Sequence, residues 1–335
     1  KARKTKGGAR VKRLLAVIIV ATLAYSGWWF YAAHTLRSNV ETWFEQQNAA
    51  GLEASYADLT VRGFPNRTDL TITDPALTNP DNGFGWQAPF LQILGLSYKQ
   101  GHVIVAWPDT QTVTTPDGDI AVSSDGLRAS VVHDNGTLLR SNLEAIVLNM
   151  AGSDRTIAMA NVNAAIEKIE MTPASYRLAV SVGSIAATSS QGAPAIGPDS
   201  LASFRAELDL SLDRPVTFAA FEDAPLQPTE ITLKRSEITY GSVTFKLSGS
   251  ATLDSQGRPT GEVTVTAENW RDAIAHARDT GDLPPGLGDA LIDLLSMLAT
   301  FGGSRDALDV TLGLDGGTVL LGPLPVGQVP PLRWR

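Results

Sequence analysis

The sequence predicts a mainly β protein with one N-terminal transmembrane helix, its bulk an extended, curved antiparallel sheet accompanied by a few short helices. Three observations predict this. Leu14–Tyr31, LLAVIIVATLAYSGWWFY, is an unbroken run without charge directly behind a basic leader. From Glu53 onward apolar and polar residues alternate with period two, the spacing of half-buried strands. Turn signals such as Pro116-Asp117-Gly118, Asp125-Gly126 and Asp134-Asn135-Gly136 recur at short intervals between the alternating segments.

Residues 1–13 form the basic leader, with Lys1, Arg3, Lys4, Lys6, Arg10, Lys12 and Arg13 and no acidic residue before Glu41. Residues 14–33 are the expected membrane span. At 1.5 Å per residue these residues cover ~30 Å, the thickness of the hydrocarbon layer. Leu14, Ile18 and Leu23 supply its lipid-facing bulk, and Trp28, Trp29 and Tyr31 sit at the far end, where amphipathic rings prefer the headgroups. The charge bias keeps the leader in the cytoplasm and exports residues 34–335. The competing reading is a cleaved signal peptide ending near Ala24-Tyr25-Ser26, against which the run continues through four aromatic residues.

Residues 34–50 keep helical spacing. Leu36, Val40, Trp43 and Phe44 fall on one stripe, Arg37, Glu41 and Glu45 face elsewhere, and Gly51 is a good stop. This is a candidate docking helix, either laid on the first strands or left as a stalk. A first β-rich part, 51–190, begins with strands on either side of Gly63-Phe64-Pro65-Asn66, the second closed by Asp74-Pro75. It continues with strands near 91–98, 102–107, 119–123, 127–132, 143–148, 156–160 and 178–186. The Ser, Gly and Pro-rich stretch Thr188–Ser200 separates it from a second part, 200–335, or joins the two as one domain. There the strands are 204–212, 230–233, 237–240, 243–253 and 262–267. Two helices follow, Trp270–Arg278 and Leu287–Phe301, then strands 308–314 and 318–321, and a Pro-rich tail.

Seven of the 27 Lys and Arg lie in the leader, so the rest of the chain sets 20 basic against 35 acidic side chains. Such a surface excludes nucleic acid as a partner. With no cysteine there is neither a disulfide nor a thiolate site.

Catalytic motifs are not visible, and the sequence reads as non-enzymatic, without cofactor or metal. His34, His102, His133 and His276 stand apart from one another, without metal-binding spacing. No nucleophile elbow, phosphate loop or dinucleotide fingerprint occurs. Asp117-Gly118-Asp119 and Asp315-Gly316-Gly317 lack the ligand series of a calcium loop and read as turns. Trp86, Trp107, Trp270 and Trp334 are either core packing or a sugar-stacking or lipid-lining set. Asn66-Arg67-Thr68 and Asn135-Gly136-Thr137 match the glycosylation pattern, which matters only in a eukaryotic secretory route.

The strands are one-sided: many positions on one face are Thr, Ser, Asp and Asn, while the other is Val, Ile and Leu. That apolar face must be covered by a second sheet, by helices or by a ligand. A closed sandwich and an open groove taking acyl chains both satisfy the pattern.

Gly63-Phe64-Pro65 with Arg67 and Leu70-x-Ile72, Leu253-Asp254…Gly257-Arg258-Pro259…Gly261, and Gly322-Pro323-Leu324-Pro325…Pro330-Pro331-Leu332 resemble the family called domain of unknown function 2125. More loosely, the strand pattern and the Gly249–Gly257 turn are similar to the AsmA-like envelope proteins. The resemblance implies a Gram-negative inner-membrane protein with its bulk in the periplasm, and for the looser likeness a curled sheet linked to lipid movement. It supplies no site residues. The expected function is a single-pass anchored protein binding lipid or another apolar envelope component in a groove. The alternative is an accessory or assembly subunit of an inner-membrane complex.

Overall fold

The computed structural model describes residues 7–189, 194–196, 201–218, 225–241, 243–271 and 307–334. The chain divides into two compact units, Lys1–Asp117 and Gly118–Arg335.

The first unit opens with α1, Gly7–Ala49, one unbroken helix that joins the expected membrane span to the candidate docking helix. Its 43 residues extend ~65 Å. The segment from Val11 is long and apolar enough to cross a membrane, and almost none of its most apolar stretch is buried in the protein.

Eight short strands follow: β1 Glu53–Ser55, β2 Asp58–Arg62, β3 Arg67–Thr73, β4 Ala76–Asn79, β5 Phe84–Gln87, β6 Phe90–Leu96, β7 Lys99–Ala106 and β8 Thr110–Thr115. They act as four long strands, each bent once. β1 pairs with β4, β4 with β5 and β5 with β8 on one side of the bend; β2 pairs with β3, β3 with β6 and β6 with β7 on the other. Pro75, Pro89 and Pro108 stand at three of the four bends, where a residue without an N–H interrupts the ladder without breaking the strand order. Asp74-Pro75 therefore bends a strand that the sequence reading had closed there. β4, β5 and β8, absent from that reading, are short, and β8 is mostly Thr.

The second unit is an antiparallel meander. β9 Gly118–Asp125 and β10 Arg128–Asp134 flank one edge of β11 Thr137–Ala151; then come β12 Arg155–Lys168, β13 Ser175–Ser189, the short β14 Pro194–Ile196, β15 Ala202–Leu212, β16 Pro228–Tyr240, β17 Val243–Leu253, β18 Pro259–Glu268, β19 Ala307–Asp315, β20 Thr318–Leu321 and β21 Leu324–Gln328. From β11 each long strand pairs with the next, β13 pairing directly with β15 across the Ser, Gly and Pro-rich stretch. Among the described residues β21 pairs only with β20, so the sheet they form is open and not a barrel.

One expectation is corrected here. Residues 230–233 and 237–240 are one strand, β16, interrupted by a bulge between Leu233 and Ser236 that resets the alternation. Gly322-Pro323 turns the chain from β20 into β21, a hairpin whose outer strand carries Pro325, a place where a residue without an N–H is tolerated. The helices expected at Trp270–Arg278 and Leu287–Phe301 lie outside the described residues, apart from Trp270 and Arg271. Among the described residues α1 is the one long helix.

Candidate functional site

The meander of the second unit has two chemically opposite faces, set by strand alternation and register. One row runs Leu143, Ala164, Val180, Ala206, Ser236, Leu247, Val265, Val310 across eight strands. The next row on the same face runs Ile166, Leu178, Leu208, Leu233, Gly249, Val263, Leu312. Nearly every position is apolar and half-buried, and only Ser236 is fully buried. At one end Val216 and Leu226 close over Tyr176, which is fully buried and accepts a hydrogen bond at its hydroxyl from the Val216 N–H at 2.9 Å. Beyond that end, the substantial contacts among described elements of the unit are between hydrogen-bonded neighbours, and the adjoining row on the same face, Ala145, Val162 and Val182, is buried.

The opposite face carries charged side chains, several of them in ion pairs. Arg177 and Lys234 bind Asp209 at 3.0 and 2.8 Å, Lys246 meets Glu268 at 2.5 Å, and Arg128 pairs with Glu144. Burial works against the charged form of Asp209, yet the hydrogen bonds from Arg177 and Lys234 outweigh it and hold the carboxyl below its ordinary value. An open cup of about 530 Å³ lies on this face, floored by Ala165 and Ala179 and walled by Glu144, Arg205, Glu207 and Arg235. Its mixed charges suit water and side-chain ion pairs, not an apolar ligand.

The anchor residues fall into two groups. Leu14, Ile18, Leu23, Trp28 and Tyr31 are exposed, between 43 and 70%. Trp29, grouped with the interfacial rings in the sequence, is only 4% exposed: its indole N–H donates to the Arg67 carbonyl at 2.9 Å, and its ring meets Phe64 edge-on at 5.5 Å. Tyr25 reaches the same place, its hydroxyl donating to the Pro65 carbonyl at 2.8 Å and standing 3.1 Å from Ser97 Oγ. Further along α1, Leu36, Val40 and Phe44 pack on Leu59, Leu70 and Ile72, while Trp43 stays 37% exposed. Asn48 fastens the helix end to β1, donating to the Ala54 carbonyl and accepting from the Ala54 N–H.

The motif glycines and prolines converge on joints of the fold. The Gly63–Arg67 segment is the turn held by Tyr25 and Trp29. Asp254 accepts the N–H groups of Gln256 and Arg258 and the Arg258 guanidinium, shaping a turn in which Gly257 has φ of 76°. The tail closes on that turn, Leu332 donating to the Gly257 carbonyl and Val329 to Gly317. Sequence reading found these motifs but not that two of them touch.

The other candidates stay apart. Trp86 donates to Gln111 in the first unit, Trp270 is buried under the Arg271 guanidinium, and Trp334 is half-exposed, with no ring contact between any two of the four tryptophans singled out. Asn66 and Asn135 lie in turns, as does Asp315-Gly316-Gly317. Among the described residues no three His, Cys, Asp or Glu come together as a metal site; His276 lies outside them.

No curated protein and no solved structure matches the chain. A family model does, over residues 29–330, from the buried Trp29 to the tail that closes on the Asp254–Arg258 turn. The chain therefore belongs to the family described as uncharacterized protein conserved in bacteria (DUF2125).

Proposed function

We propose that this is a non-enzymatic, single-pass inner-membrane protein whose periplasmic sheet holds lipid, or another apolar component of the envelope, on the apolar face of the second unit. One observation carries the reading: two adjacent rows of apolar, half-buried side chains run across β11–β19 on one face of the open sheet. Such a surface in water is costly at about 25 cal/mol per Å², and an acyl chain would remove it from water without needing directional partners. The apolar α1 supports anchoring, and the basic leader supports the orientation.

The subunit reading has less to work with. Leu36, Val40 and Phe44, the stripe a larger complex would use, are already packed on the chain's own strands. Native mass spectrometry of the full chain released from mild detergent tests the proposal. Lipid retained on the monomer supports it, whereas a lipid-free chain or a fixed larger assembly overturns it.

A further inference from the structure

The contacts of Tyr25 and Trp29 fix how close the first unit comes to the bilayer. If Lys12 and Arg13 hold the cytoplasmic boundary and Leu14 begins the apolar span, Tyr25 lies ~16 Å and Trp29 ~22 Å along the helix. The hydrocarbon layer is ~30 Å thick, so both fall short of its far boundary, and tilt brings them deeper. Helical side chains also lean toward the N-terminus, which carries the Tyr25 hydroxyl further inward. Whatever these side chains hold must share their depth. They hold the Gly63–Arg67 turn and, through Ser97, the neighbouring β6–β7 turn.

That pair of turns suits such a place. Backbone carbonyls out of water need protein partners. Here Pro65 receives hydrogen bonds from Tyr25 and Ser97, Arg67 from the Trp29 indole, Asn66 from the Ser97 N–H, and Gly63 from the Arg67 N–H. Three of the exposed side chains here are apolar or aromatic, Phe64 at 46% exposure, stacked on Phe30 at 5.6 Å, Leu96 at 39% and Tyr98 at 74%, with Asn66 the polar one in the first turn. Arg62, Lys99 and Arg67, the last paired with Asp69 at 2.8 Å, flank them, a rim that stays basic on balance in a chain that is acidic beyond its leader.

We propose that this tip, turns 63–66 and 97–98, is seated in the leaflet away from the leader, with Phe64, Leu96 and Tyr98 at the acyl boundary and the basic rim on lipid phosphates. The inference rests on α1 spanning the membrane. The first unit would then be held to the bilayer at two points, the helix and the tip.

The chain has no cysteine, so single-cysteine variants report cleanly. Leu23→Cys, Phe64→Cys, Tyr98→Cys and Asp81→Cys, the last in the exposed turn beyond β4, are labelled with an environment-sensitive fluorophore. The full chain is reconstituted in vesicles of phosphatidylethanolamine and phosphatidylglycerol containing acyl-brominated lipid. Quenching at positions 23, 64 and 98 severalfold above that at position 81 is expected. Quenching at 23, with 64 and 98 behaving like 81, overturns the seated tip and leaves the anchor standing. No quenching at 23 overturns the anchor and the tip with it. Tyr98 is largely exposed, so its variant keeps the test valid if Phe64→Cys disturbs the turn.

Discussion

At the scale of single residues, Tyr176 and Asp254 do the most definite work. Removing the Tyr176 hydroxyl leaves the Val216 N–H buried without its partner, so Tyr176→Phe is expected to cost about 1–3 kcal/mol. A urea midpoint lowered at unchanged slope checks this, and an unchanged midpoint refutes it. Asp254 is a carboxylate held below its ordinary value, first by the Arg258 N–H, against burial, and with help from the Arg258 guanidinium and the Gln256 N–H. A carboxyl with a depressed folded pKa stabilises the fold above the unfolded value, near about 3.9, and loses that contribution as pH falls through the folded value. The thermal midpoint of Asp254→Asn is thus expected to lie below that of the natural chain at neutral pH and to converge on it below about pH 4. A gap independent of pH would contradict this. The positive φ of Gly257 was legible, because a polar hairpin connection needs such a residue. The burial of Trp29 was not: its partner carbonyl lies 38 residues away, and a ring at the end of an apolar run reads the same whether lipid or protein covers it.

At the scale of elements, helix and sheet support one another. Phe44 is 4% exposed against Leu59, Leu70 and Ile72 and edge-on to Tyr56 at 4.7 Å, so Phe44→Ala should cost about 3–5 kcal/mol. The loss should appear as faster amide exchange in β1–β3, with the strands of the second unit unchanged; uniform exchange across both units would contradict it. The stripe Leu36, Val40, Phe44 was legible because 3.6-residue periodicity survives in a surface helix. Strand order was legible in outline, since a meander follows the chain. The bulge in β16 and the bent strand pairs of the first unit were not, because each resets or interrupts the period of two on which the reading depends.

At the scale of the whole molecule, sequence foresaw a β-rich chain behind one apolar helix and left open whether the sheet closes. One-sided alternation fixes which face avoids water but not what covers it. The structure shows an open sheet, and the lipid-holding reading depends on its apolar face. Substituting Val263→Asp on that face should reduce retained lipid while leaving the strand content intact, because Val263 lies outside the Tyr176 cluster and the change places a charge where an acyl chain would lie. The most direct measurement is cross-linking of the full chain in membranes to phospholipid bearing a photoreactive group at the end of its acyl chain, with the modified peptides mapped by mass spectrometry. Adducts on the apolar row residues Val180, Leu208 and Val263, and none on Arg177, Glu207 or Thr264 of the opposite face, are the predicted result. Adducts confined to α1 and the tip would show a protein that touches lipid only at its anchor, contradicting the proposed role of the sheet.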